Sequence, residues 1–265
     1  TCREFARTYG KELVPGHFDS DKADLFFELA RAVARNPDAL GTTGLDNKLR
    51  GKIRDGKARG GDLASPAAIT AELAKAFDDH LKRLAKAGYP FDKAEPLNIG
   101  GKGELGGKID KYHGDFLTGG WLELFVYGML KRPAARALGI SDLQIGMRLD
   151  SSKGNELDVI FMQNLALCVV ECKSGMEHDT KFDALYKLDA VVNQFKALLR
   201  KTWFATTGQE IYEKDIKPPK IKEHIESRCR ELGCTIISPE AVVALANASP
   251  EEEPGMLGTL FPKPA

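Results

Sequence analysis

Apolar positions along this chain recur with two periods. Leu25, Phe26, Leu29 and Val33 repeat at helical spacing and predict a helix over Asp21 to Arg35, capped by Ser20 and ended by Asn36-Pro37. Ile69, Leu73, Phe77, Leu81 and Leu84 predict a second, opened by Ser65-Pro66 and closed by Gly88. Leu122, Phe125, Val126 and Met129 predict a third over Leu117 to Lys131. Leu185, Leu188, Val192, Phe195 and Leu199 predict a fourth over Thr180 to Arg200. Shorter helices are expected over 133–138, 221–232 and 239–246. Between them, Leu143 to Leu149, Thr202 to Thr206 and Cys234 to Ile237 read as strands, and Asn155 to Ser174 reads as a β-hairpin turning at Gln163-Asn164.

The hairpin carries the chemistry. Strand alternation puts Leu157, Val159 and Phe161 on one face and Glu156, Asp158 and Ile160 on the other. In the second strand Cys168, Val170 and Cys172 oppose Val169, Glu171 and Lys173. If the polar sets share a side of the sheet, Asp158, Glu171 and Lys173 converge, with Glu156 nearby. Buried charges need partners or a metal ion. Carboxylates are hard oxygen ligands suited to Mg²⁺ or Mn²⁺. The plain alternative is a surface hairpin with a salt bridge.

Composition sets bounds. The 265 residues suffice for one large domain or two small ones. Formal net charge is zero, so a phosphate-binding surface must be local. No apolar run approaches the roughly 20 residues of a membrane span, and no signal peptide is evident. Five cysteines, an odd count without a CxxC pair, suggest reduced core thiols in a cytoplasmic protein rather than an iron–sulfur cluster. The chain opens on Thr, which suggests a fragment or a processed protein. Lys48, Arg50, Lys52, Arg54, Lys57 and Arg59 lie in a Gly-rich stretch that reads as a solvated loop or a phosphate-gripping arm. Asn98 to Gly107 lacks the GK[ST] of a Walker loop and reads as a connector. His80 reads as structural or solvent-facing, and His113 has no partner motif.

The spacing of Asp158 and Glu171-Cys172-Lys173, preceded by a helix bearing Glu123, resembles the D…(D/E)xK core of the PD-(D/E)xK nuclease superfamily. Phe116 to Tyr127, Asn155 to Asp158, Val170 to Ser174 and Leu185 to Leu188 extend that likeness. Together they resemble the nuclease domain of CRISPR ancillary nucleases activated by cyclic oligoadenylate, over roughly residues 112 to 240. The resemblance implies a restriction-endonuclease-like α/β fold with a mixed central sheet flanked by helices. It implies Asp158, Glu171 and the Cys172 carbonyl as ligands of Mg²⁺ or Mn²⁺, and Lys173 as the group that orients the attacking water. It also brings Glu123 to the metal and Lys187 to the scissile phosphate, while Glu156 is a further candidate ligand.

The organisation expected is a mainly helical region over 1–111, the nuclease domain over 112–246 and a poorly ordered tail over 247–265. The function expected is metal-dependent hydrolysis of DNA or RNA in antiviral defence, with a homodimer as a candidate assembly. Control by cyclic oligoadenylate would act through a domain not evident in this chain, since the βα pattern of a Rossmann unit is not found. The alternatives are a restriction or recombination endonuclease cutting duplex DNA, and a non-catalytic nucleic-acid-binding module on the same fold.

Overall fold

The structure, a computed structural model, describes residues 1–16, 18, 20–40, 52, 57–59, 70–101, 104–149, 156–174, 185, 186, 188 and 199–263. Its helices are α1 (Cys2–Thr8), α2 (Ser20–Arg35), α3 (Ala71–Lys86), α4 (Lys111–Asp115), α5 (Trp121–Lys131), α6 (Pro133–Arg136), α7 (Glu223–Glu231), α8 (Pro239–Asn247) and α9 (Glu253–Leu260). A six-stranded sheet runs in the order β1 (Leu13–Pro15), β4 (Ile140–Leu149), β5 (Glu156–Gln163), β6 (Ala166–Lys173), β7 (Leu199–Thr206), β8 (Cys234–Ile237). A small hairpin joins β2 (Asn98–Ile99) to β3 (Leu105–Gly106).

From β1 to β6 the strands pair antiparallel, and β6, β7 and β8 pair parallel. This mixed sheet between helices is the expected fold class. Gln163 pairs with Ala166, so the β5–β6 turn is Asn164-Leu165, one residue beyond the expected place. Both have positive φ, 49° and 67°, which is the two-residue turn whose twist suits a hairpin.

Each sheet face carries its own apolar layer. One holds Phe26, Phe116, Phe125, Val159, Phe161, Val170, Trp203 and Phe261 beneath α2, α5 and α8. The other holds Cys2, Leu157, Ile160, Val169, Phe204 and Ile225, with α1 and α7. The buried Leu185 and Leu188 join this second layer.

The residues before 111 pack with those after it: β1 belongs to the same sheet, α2 packs on α5, and the first apolar layer runs unbroken from Phe26 to Trp203. Three expectations change. The Gly-rich stretch is a hairpin against α3 rather than a connector. The C-terminal segment is also part of the core. Its acidic run looks solvated in sequence, but Glu253 is buried against Arg132 at 2.6 Å and Pro254 lies in the first turn of α9. Finally, Leu199 begins β7 instead of ending a helix. The proposed helix start at Ser65-Pro66 and residues 191–198 lie outside the described residues; α3 is capped by Thr70, whose Oγ1 accepts from Leu73 N at 3.3 Å.

His80 and His113 do have partners. Both are buried, their Nε2 atoms lie 3.3 Å apart, and His113 Nδ1 is 2.8 Å from Asp110 Oδ2. Burial, then the neighbouring His113, pushes the His80 imidazole down to about 3. The pair is a buried polar strut inside the aromatic layer.

Candidate active site

The hairpin opens where its charges lie. The β5–β6 ladder runs from Gln163↔Ala166 to Val159↔Val170 and stops. One residue further, the Asp158 side chain takes the place of a strand carbonyl: Cys172 N–H donates to Asp158 Oδ2 at 2.7 Å. Alternation breaks at the same level. Val159 and Phe161 pack in the first apolar layer, but Leu157 packs in the second with Ile160, against expectation. On the neighbouring strand Ile145 lies in the first layer and Met147 in the second. Between them Gly146 has φ 57°, a conformation L side chains avoid. The strands therefore turn over together at Asp158 and Gly146, and a carboxylate is left in the plane of the sheet.

Around this opening Asp158, Glu171 and Lys173 flank Cys172. Glu171 is paired in register with Phe204 of the second layer, and Cys172 with Ala205 of the first. Asp158 is 5 % exposed and Glu171 1 %. Burial raises the Cys172 thiol well above its ordinary value, and Asp158, Glu123 and Glu171 raise it further while Lys173 opposes them. These four groups thus act on one point at the end of β6.

Glu123 reaches this point through a kink. Phe116–Gly120 forms a wide helical turn, and Gly119 within it has φ 124°, ψ −19°. The kink ends α4 and starts α5 afresh, with Glu123 in its first turn, where the helix dipole favours a carboxylate. Gly119 also abuts Ser174, the residue after Lys173: an added Cβ would overlap Ser174 Oγ. Gly119→Ala is expected to destabilise the chain by about 1–3 kcal/mol and to lower any cleavage activity. Urea unfolding checks the first effect, and an unchanged midpoint would show that this contact does not constrain the kink.

Glu156 stands elsewhere. It is opposite Arg148 in register, with Oε2 3.7 Å from Nη2, and its Oε1 lies close over Gly16. Lys187, with Lys48, Arg50 and Arg54, lies outside the described residues; Arg59 forms an ion pair with Glu95. The cysteines are free and buried. Sequence reasoning missed Thr206 and Thr207 at the end of β7, and both are buried beside the end of β6. Their only sequence signal is a Thr-Thr-Gly that ends an apolar strand.

Among the described residues, no three His, Cys, Asp or Glu side chains form a ready metal cage. Mg²⁺ does not require one, since it keeps several waters and takes one or two carboxylates. Two buried carboxylates at a strand opening, with a third nearby on a helix, therefore fit such an ion.

Residues 110–247 match the family model of the Card1-like endonuclease domain. No curated protein matches the sequence. Protein VC1899 from Vibrio cholerae superposes with a TM-score of 0.58 and 18% identity, over 92% of this chain and 59% of that one. Can2 from Sulfobacillus thermosulfidooxidans, solved in complex with cyclic tetra-adenylate, gives 0.50 and 18%, over 98% of this chain and 60% of that one. The chain spans about three fifths of the length of each, and at this identity the likeness is one of fold. The family match covers more than half of the chain and includes the helix, hairpin and strand that carry Glu123, Asp158, Glu171 and Lys173, so the chain belongs to the Card1-like endonuclease domain family.

Proposed function

We propose that this chain is a metal-dependent endonuclease that hydrolyses phosphodiester bonds of DNA or RNA in the cytoplasm, as an antiviral defence effector controlled by a cyclic oligoadenylate. The observation that carries the catalytic reading is the Asp158 carboxylate bonded to Cys172 N–H where β5 and β6 part, with Glu171, Lys173 and Glu123 around it. The regulatory part rests on the likeness to Can2, which was solved with cyclic tetra-adenylate.

Asp158 and Glu171 would hold Mg²⁺ or Mn²⁺, with the Cys172 carbonyl as the superfamily resemblance implies, and Glu123 joining through a water. Such an ion, once bound, would supply an acidified water and charge stabilisation for the phosphodiester. Lys173 would orient the attacking water and hydrogen-bond a non-bridging phosphoryl oxygen as negative charge grows there. Asp158, tied to the β6 backbone through Cys172 N–H, cannot swing away. Glu156 braces Arg148 across β4 and β5.

Labelled single-stranded and duplex DNA and RNA, incubated with Mn²⁺, Mg²⁺ or EDTA, test this reading. Cleavage is expected with either metal and none with EDTA. Lys173→Ala is expected to lose cleavage by about 10²-fold or more while calorimetric Mn²⁺ affinity stays within a few-fold, because lysine offers the ion no oxygen. Equal cleavage in EDTA sinks the metal. A Lys173→Ala variant that binds Mn²⁺ as poorly as Asp158→Asn sinks the separate role of the lysine.

A further inference from the structure

Lys173 is the last residue of β6, and its parallel partner in register is Thr206. The next residue, Thr207, holds the chain beyond that pair by two bonds. Its N–H donates to Lys173 O at 3.2 Å, and its Oγ1 donates to Ser174 O at 2.8 Å. Thr207 is buried, and Thr206 Oγ1 accepts from Gly208 N at 3.0 Å, so the gripping turn is itself fixed. On its other side Ser174 packs against Gly119, four residues before Glu123. The carbonyls of Lys173 and Ser174 are thus both tied to the end of β7, and Ser174 is wedged against the kink that starts the Glu123 helix.

A lysine side chain has four rotatable bonds, so only its root can be fixed by the fold. Where a reacting group must be placed within about 0.5 Å, the backbone beneath it has to be held. We propose that Thr207 is a positioning residue for Lys173: its backbone and hydroxyl clamp the end of β6 so that the ammonium meets the attacking water and the phosphate. This rests on the reading of Lys173 as the group acting in the chemical step.

Thr207→Val keeps the shape and the N–H bond and removes only the hydroxyl, while Thr207→Ser keeps the hydroxyl. With folding verified by circular dichroism, Thr207→Val is expected to lower kcat about 10-fold. KM is expected to stay within about two-fold, and Thr207→Ser to recover most of kcat, because substrate binding does not use the clamp and the serine hydroxyl restores it. Amide hydrogen exchange over residues 171–174, read by mass spectrometry, is expected to speed up in Thr207→Val. A Thr207→Val enzyme with wild-type kcat overturns the proposal, as does Thr207→Ser being as slow as Thr207→Val. Lys173→Ala run alongside separates the two readings. If it turns over at the wild-type rate, the catalytic role of Lys173 falls. The clamp is then judged by exchange: faster exchange in Thr207→Val supports it, and unchanged exchange overturns it.

Discussion

Asp158→Asn and Glu171→Gln are each expected to abolish cleavage to within the background, a loss of about 10³-fold, while the protein stays folded. The substitutions exchange a carboxylate for an amide of the same shape. Each removes one negative charge from the ligand set and so weakens the hold on a divalent cation. The fold should survive for a specific reason. Asp158 Oδ2 accepts from Cys172 N, and the asparagine carbonyl can accept the same bond. Asp158→Ala is therefore the informative contrast. It loses activity equally but also strands the buried Cys172 N–H, which costs about 1–3 kcal/mol. Kinetics in Mn²⁺ with urea unfolding of all three variants decides the point. An Asp158→Asn enzyme with wild-type turnover would remove this carboxylate from the mechanism. An Asp158→Ala protein as stable as Asp158→Asn would show that the bond to β6 does not support the strand opening.

Phe261→Ala is expected to destabilise the chain by about 3–5 kcal/mol, although Phe261 lies four residues before the last position. Its ring is 2 % exposed, 5.0 Å from Trp203 and 6.1 Å from Phe161 between centroids. Trp203 Nε1 donates to Leu260 O at 2.8 Å, so the ring and the indole lock α9 onto the middle of the sheet. Removing the ring leaves a cavity beneath β5 and β7. For a chain of this size each kcal/mol moves Tm by roughly 2–4 °C. Calorimetry is expected to show a fall well beyond 5 °C, and a shift under 2 °C would mean that α9 is dispensable to the core.

What the sequence made legible follows physical range. β6 and β8 are short apolar runs, and both were expected where they lie because β-branched and aromatic residues bounded by turns have few other uses. The ligand candidates were legible because Glu171 and Lys173 interrupt such a run. The break in alternation at Asp158 was not, since it depends on a side chain capturing a backbone N–H fourteen residues away in sequence. Nor was α9, because Glu251-Glu252-Glu253 looks solvated until Arg132, 121 residues distant, is seen against Glu253. The His80–His113 contact spans 33 residues and leaves no periodic trace. Thr207 acts through carbonyls, which every residue has, so its sequence carries no signature of the clamp.

The outer rim of the sheet has a bearing on solubility. β1 covers only Met147, Arg148 and Leu149 of the ten-residue β4, and it ends in Pro15, which has no N–H to offer. Over the rest of β4 the ladder is irregular between Ser141 and Gln144, and Asp142 has φ 45°. There α1 acts as a stopper: Cys2 N–H donates to the Asp142 carboxylate, and Cys2 Sγ donates to Asp142 O at 3.1 Å. An unguarded strand of this length is a template on which another chain can add a strand. Trimming the first eight residues would leave that template open, and the loss would appear first as self-association in concentrated samples, with the catalytic strands untouched.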